Sequence, residues 1–112
     1  MALNVVLLAG RLARDPIIRD LHGNGHLSKF TIACERKFKD PQTGERQSDF
    51  IRCTAWDDNA VFVEKNLKKG SAVVVEGTLQ NDDYTDRDGN EHHEMAVVVS
   101  SVRFQDPDYS GK

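Results

Sequence analysis

Residues 50–56 read Phe-Ile-Arg-Cys-Thr-Ala-Trp, an alternation of larger and small apolar side chains that predicts a strand. Successive side chains of a strand point to opposite faces, so the small apolar residues at the odd positions would enter a core and the larger residues would point outward. Phe50 and Trp56 would then stand about 20 Å apart on the outer face, at about 3.3 Å per residue. This spacing suits several stacked units of an extended ligand better than one small molecule.

Four further strands are predicted around this stretch. Residues 5–9 form a continuous apolar run, typical of a strand that is buried on both faces by a subunit contact or by a long path through a barrel wall. Residues 30–34 alternate, and residues 72–79 and 95–104 are rich in valine. The polar residues 39–49 predict a long hairpin loop before the strand at residues 50–56.

One helix is predicted directly after the third strand. Its apolar stripe at positions i, i+3 and i+7 consists of Ala60, Val63 and Leu67. Asp57 or Asp58 is expected to cap its N-terminus, and Gly70 to end it. Five strands with a helix between the third and fourth predict an all-β protein, specifically the OB-fold, a five-stranded Greek-key barrel whose face binds oligonucleotides or oligosaccharides.

The 112 residues predict one domain, with the barrel over residues 1–105 and a disordered tail over residues 106–112. The net charge of −3 is unevenly distributed. Residues 1–80 hold 12 basic and 10 acidic residues, whereas residues 81–112 hold 3 and 8. Because the field at a groove depends on local charges, the negative total does not exclude a nucleic-acid partner.

The sequence shows no membrane span and no pattern of a cleaved signal peptide, so we expect a cytoplasmic, nucleoid-associated protein without membrane contact. It also predicts no catalysis, cofactor or metal. Cys34 and Cys53 lack ligand spacing and are expected to be buried thiols. His92 and His93 would point to opposite faces of a strand, and no nucleophile motif or phosphate loop is present.

Several motifs lie at the ends of the predicted elements. They are Asn4 to Leu12 followed by Asp15-Pro16 and Arg19, Leu67 to Ser71, Glu76 to Leu79, and Tyr84-Thr85-Asp86 followed by Gly89. The likeness that they support extends over nearly the whole chain, from Asn4 to about Phe104. In this order they resemble the bacterial single-stranded DNA-binding protein family.

The resemblance implies four aromatic side chains that stack on bases, namely Phe38, Phe50, Trp56 and Tyr84. Cations beside them would neutralise phosphates, with candidates Arg11, Arg36, Lys37, Lys39, Arg46, Arg52, Lys68 and Lys69. Arg52 is the best placed of these, between two of the rings. The chain departs from the family at residues 80–83, where an acidic stretch stands in place of the basic run of many members, so we expect this arm to contribute less to binding.

The resemblance further implies a homotetramer in which the first strand pairs between subunits. The expected interface consists of Val5, Val6, Leu7 and Leu8. Full-length members usually continue into a linker and an acidic tip that recruits replication and repair enzymes. Because the sequence stops at Lys112 without either, we expect a short form, whether a truncated chain, an accessory paralogue or a phage or plasmid protein.

The leading hypothesis is sequence-independent binding and protection of single-stranded DNA in replication, recombination and repair. One alternative is an OB-fold accessory factor of the primosome or replication machinery, whose main ligand is another protein. A nuclease would require a metal cluster that the sequence does not show. Single-stranded RNA stays open as a ligand because stacking does not distinguish the sugar.

Overall fold

The computed structural model describes residues 2–21, 23 and 25–105. The strands are β1 (Val6–Leu12), β2 (Ile17–Asp20), β3 (His26–Lys39), β4 (Arg46–Trp56), β5 (Ala72–Asn81), β6 (Tyr84–Thr85), β7 (Glu91–His92) and β8 (Met95–Phe104), and helix α1 spans Asp57–Asn66. The predicted disordered tail at residues 106–112 lies outside the described residues. In the described part, no helix has the length and apolar character needed to cross a membrane.

Five long strands close into a barrel. The strand order is β1-β5-β8-β4-β3, and β1 also pairs with β3 to complete the circle. The short β2 extends the sheet beyond β3, while β6 and β7 form a separate hairpin between β5 and β8. Helix α1 lies between the third and fourth strands of the barrel, so the predicted OB-fold is confirmed.

The barrel consists of two antiparallel halves joined by short seams. One half contains β1, β5 and β8, and the other contains β2, β3 and β4. At the first seam Arg11 pairs with Ala33 and Leu12 with Ile32. At the second seam β4 and β8 run parallel, and only a short stretch at Cys53 and Val97 is paired.

Alternating apolar side chains from every barrel strand fill the interior. The core includes Leu12, Phe30, Ile32, Cys53, Ala55, Val73, Val75, Val97 and Val99, all of them buried. Two glycines allow the walls to approach each other: a Cβ at Gly10 would collide with the carbonyl oxygen of Ala33, and one at Gly77 with that of Val98. Such close backbone contacts are a recognised reason for glycine inside a strand.

In the single chain the first strand is buried on one face only, and the subunit contact expected over its other face stays a prediction. Val6 and Leu8 pack against the core, but Leu7 is 68% exposed and Val5 is exposed as well. A barrel wall has only one interior, and none of the residues that the structure describes forms a second layer over the outer side of β1. Its apolar outer residues therefore face solvent in the monomer.

The helix differs from its prediction at both ends. Its N-cap is Trp56, which makes no side-chain capping hydrogen bond, and Asp57 and Asp58 lie in the first turn because β4 runs directly into the helix. The predicted apolar stripe of α1 is buried, as expected. Leu67 rather than Gly70 follows the last helical residue, because the chain extends there to bury the leucine side chain.

The hairpin between β3 and β4 is longer and more regular than the predicted loop. Strand β3 continues to Lys39 and β4 begins at Arg46, which leaves only residues 40–45 as a turn. The two polar strands form an arm that projects past the core, and Lys39 still pairs with Arg46 near its tip. Since neither face of this arm is buried, its sequence lacks the apolar alternation that would have revealed the strands.

Candidate nucleic-acid interface

The outer face of β4 carries the two aromatics that the alternation predicts. Phe50 is 65% exposed and Trp56 is 43% exposed, whereas Cys53 and Ala55 between them are buried. Exposed rings of this size on a barrel wall leave apolar surface in water, which is unfavourable unless a ligand covers it. The geometry of β4 therefore provides a platform for flat apolar groups.

Strand β3 adds a row of side chains beside this platform. Across the antiparallel ladder, Lys29 lies opposite Thr54 and Leu27 opposite Trp56. Lys29 is exposed and lines two neighbouring grooves, one with Arg52 and the other with Trp56. Lys29 is absent from the predicted cations, although the inward positions of Phe30 and Ile32 place the odd-numbered residues of this strand on the outer face.

Three of the predicted cations, Arg11, Lys68 and Lys69, lie near one another, and Arg11 is on the same face as Phe50. Arg11 pairs with Ala33, which in turn pairs with Phe50, so all three share one face of the sheet. Two strand spacings place the backbone of Arg11 about 10 Å from that of Phe50. Arg11 donates a hydrogen bond to the carbonyl oxygen of Gly70 (2.9 Å), beside the turn that carries Lys68 and Lys69.

The arm formed by β3 and β4 holds the next aromatic and most of the remaining cations. Phe38 is 84% exposed, and with Arg36 and Lys39 it lines a groove near the tip. The other predicted cations of the arm are Lys37 and Arg46, both exposed. Arg36 is not free, because its guanidinium forms two hydrogen bonds to Asp49 (2.8 and 3.0 Å), and this interaction lowers the pKa of the Asp49 carboxyl.

Arg52 is held by two carboxylates, a contact that the sequence does not predict. Its Nη2 contacts Asp82 Oδ2, and its Nη1 lies 2.9 Å from Glu94 Oε1. Both carboxylates belong to the acidic arm, residues 82–94, which carries the β6–β7 hairpin between β5 and β8. The expected position of Arg52 between the two exposed rings is present, but its charge is already paired.

Tyr84 is the fourth predicted aromatic, and its ring already has neighbours. It stacks on His92 with centroids 4.7 Å apart and ring planes 10° from parallel, and the Arg52 guanidinium lies 5.9 Å from its centroid. Its hydroxyl donates a hydrogen bond to Glu94 (3.2 Å). Desolvation and this carboxylate raise the pKa of Tyr84. The structure thus brings Tyr84 to Arg52 and leaves the residue 44% exposed, about as much as Trp56.

Metal binding or nucleophilic chemistry would require clustered ligands or reactive thiols. Within the described residues, no three histidine, cysteine, aspartate or glutamate side chains are placed to hold a metal ion. His92 is bonded to Asp86 (2.8 Å). Burial raises the pKa of the Cys53 thiol to about 12 and also raises that of Cys34, so both thiols are protonated and weak nucleophiles at neutral pH.

Comparison with known proteins identifies the family. The model of the single-strand binding protein family matches residues 3–105. The chain belongs to this family. It is 41% identical over 105 residues to single-stranded DNA-binding protein 2 of Listeria monocytogenes, covering 94% of this chain and 65% of that protein.

Other members of the family show the same extent of similarity. Single-stranded DNA-binding protein A of Bacillus subtilis is 39% identical over 109 residues, covering 97% of this chain and 63% of that protein. The single-stranded DNA-binding protein of Caldanaerobacter subterraneus is 40% identical, covering 94% and 69%. The chain thus spans about two thirds of the length of these curated relatives, and the family resemblance read from the motifs is confirmed.

Proposed function

We propose that the protein binds single-stranded DNA without reading its sequence and protects it during replication, recombination and repair. The observation that carries this proposal is the outer face of β4, where Phe50 and Trp56 stand exposed beside Lys29. Family membership and the names of the relatives support it. Such a protein would act as a binding factor, without chemistry of its own, wherever single strands of the nucleoid are exposed.

Base stacking would supply the affinity that does not depend on sequence. Every base has a π-face, and stacking on an aromatic side chain contributes about 1–3 kcal/mol per base. Phe38, Phe50, Trp56 and Tyr84 are proposed as the stacking residues. Phe50 and Trp56 are the most accessible on the barrel itself, Phe38 extends the path along the β3–β4 arm, and Tyr84 would join once its contacts with the acidic arm rearrange.

Phosphate contacts would add binding free energy that decreases as the salt concentration rises. Basic side chains that replace condensed counterions make the affinity fall as salt rises, with a slope of about −0.7 per phosphate for single strands. Lys29, which has no ion pair with another described residue, and Arg11 flank the rings of β4. We propose these two, with the Lys68–Lys69 turn and the cations of the β3–β4 arm, as the phosphate contacts.

The proposal also includes self-association through β1. Its outer residues Val5 and Leu7 are exposed, with Leu3 preceding them, and they form an apolar stripe that a second copy of the chain would cover. A homotetramer built on this strand is the arrangement proposed. Replacing Leu7 with glutamate should shift the mass measured by light scattering toward the monomer, while Ile17→Glu, at an exposed residue of β2, should leave it unchanged.

Titration with oligo-dT tests DNA binding directly. Trp56 is the only tryptophan of the chain, so quenching of its emission reports contact at this position. Strong quenching at low salt, weakening as salt rises, is expected. Absence of quenching and of any shift in the anisotropy of a labelled strand would reject the proposal and favour a protein-binding accessory role.

Two further measurements define the ligand. Competition between matched DNA and RNA oligomers would show whether the sugar matters. Incubation of labelled single strands with Mg²⁺ or Mn²⁺ should leave them intact, and the appearance of cleavage products would contradict a purely binding role.

A further inference from the structure

Arg52 occupies the centre of the proposed DNA-binding face but is held by two carboxylates. It lies on β4 between Phe50 and Trp56, where its guanidinium contacts Asp82 and Glu94. These three side chains are between 36% and 39% exposed, so they are accessible to a ligand in solution. We call Asp82 and Glu94 the carboxylate clasp.

The base of the acidic arm fixes the clasp. Asp82 follows the end of β5 and Glu94 precedes β8, and the backbone N–H of Asp82 donates a hydrogen bond to the carbonyl oxygen of Glu94 (2.8 Å). Tyr84 adds a hydrogen bond from its hydroxyl to the carboxylate of Glu94. Both carboxylates are therefore positioned by the fold, and their contact with Arg52 is more than a chance meeting of flexible side chains.

The charges of the clasp oppose a phosphate. One positive and two negative charges leave a net charge of −1 where the incoming backbone would need a cation. A carboxylate and a phosphate present similar oxygen acceptors to the guanidinium fork, so they compete for the same donors. A strand lying across Phe50 and Trp56 can use Arg52 only after the clasp has released it.

The clasped state is also incompletely bonded. The Nε of Arg52 is buried without a hydrogen-bond partner among the described residues, while only the two terminal nitrogens reach the carboxylates. A buried donor without a partner destabilises the arrangement that contains it. The missing hydrogen bond makes it easier for another anion to replace the two carboxylates at the guanidinium.

We propose that Asp82 and Glu94 act as an internal phosphate mimic that holds Arg52 and must be displaced when single-stranded DNA binds. The inference rests on the proposed function and specifies its regulation. Displacement also frees Tyr84 from Glu94 and so couples the opening of the acidic arm to base stacking at that ring. The clasp lowers affinity for short ligands that cannot reach both β4 and the arm.

Matched charge variants test the clasp. Asp82→Asn with Glu94→Gln releases Arg52, whereas Asp83→Asn with Glu91→Gln removes the same two charges from the same arm but leaves Arg52 held, since Asp83 and Glu91 face His93. The clasp variant should bind labelled dT oligomers about tenfold more tightly than the control variant, equivalent to about 1.4 kcal/mol. Its salt slope should steepen by about 0.7, for one additional phosphate contact.

A double-mutant cycle separates release of Arg52 from a general gain of positive charge. Arg52→Gln should reduce affinity less than about threefold in the wild type but about tenfold in the clasp variant. Thermal unfolding of each protein verifies folding, and the single variant Asp82→Asn, which preserves the bond between Tyr84 and Glu94, replaces the pair if the double variant does not fold.

The outcomes distinguish this inference from the proposed function. If the wild type binds DNA and the two charge variants tighten binding equally, or if Arg52→Gln costs the same in both backgrounds, the inference is overturned while the function stands. If only the clasp variant binds, the inference that the clasp blocks Arg52 is supported, and DNA binding by the wild type is overturned. If no variant binds DNA at low salt, both are overturned.

Discussion

Replacing Phe50 with alanine should separate ligand binding from folding. The side chain is 65% exposed, so only about a third of its surface contributes to stability. Full burial of a phenylalanine contributes about 1.5–3 kcal/mol, and a third of that is about 0.5–1 kcal/mol. Loss of a stacked base would cost about 1–3 kcal/mol of binding, which corresponds to about 5- to 150-fold in affinity. The variant should therefore fold nearly as well as the wild type but bind far less tightly.

The assay is fluorescence anisotropy of a labelled dT oligomer at fixed salt, together with thermal unfolding of the unbound protein. Phe104→Ala is the matched control, because this ring is 52% exposed but packs edge-to-face on Phe62 of α1 and away from the β4 face. Its affinity should change less than twofold. An equal loss in both variants, or a change below twofold for Phe50→Ala, would refute the assignment of β4 as a stacking platform.

Three further predictions test the surroundings of the site. Lys29→Gln should weaken DNA binding and flatten the salt slope by about 0.7, whereas Lys65→Gln on α1 should do neither in the same titration. Gly77→Ala should lower the free energy of unfolding by about 1–3 kcal/mol, because its Cβ would meet the backbone of Val98 and lie 2.9 Å from a methyl of Val97; denaturant unfolding would contradict this if Glu76→Ala, at the exposed neighbouring position of β5, were equally destabilising. Burial raises the pKa of Cys53 from 9.0 to about 12. Between these two pKa values the folded state keeps the thiol proton while the unfolded state loses it. The free energy of unfolding is therefore unaffected by this group below pH 9 and falls by up to about 1.4 kcal/mol per pH unit as the pH rises toward 12. Unfolding curves of Cys53→Ala should lack this pH dependence.

The barrel could be predicted because its strands report burial through alternation. Residues 50–56 and residues 30–34 each place one apolar set inside, and the helix stripe is equally visible. The β3–β4 arm could not be predicted in this way, since a two-stranded ribbon with both faces in water has no apolar side. The capping prediction at Asp57 and Asp58 failed because Trp56, the last residue of β4, takes the N-cap position of α1.

The site was only partly visible in the sequence for a different reason. Exposure of Phe50 and Trp56 follows from local alternation, but the pairing of Arg52 with Asp82 joins residues 30 positions apart. Such a contact depends on the closure of the barrel and on the path of the acidic arm, and no local pattern encodes it. The acidic stretch at residues 80–83 did indicate weaker binding, yet it did not reveal which cation the carboxylates would hold.

The seam between β4 and β8 is short, so a ligand that bridges it would stabilise the barrel. Phe38, Phe50 and Trp56 belong to the half of the barrel that contains β3 and β4, whereas Tyr84 lies on the β6–β7 hairpin that connects β5 to β8 in the other half. A single strand of DNA stacked on all four aromatic rings would span the seam and hold the two halves of the barrel together. Amide hydrogen exchange around Cys53 and Val97 should then slow when DNA binds, so the nucleic acid would act as an additional structural element of the barrel.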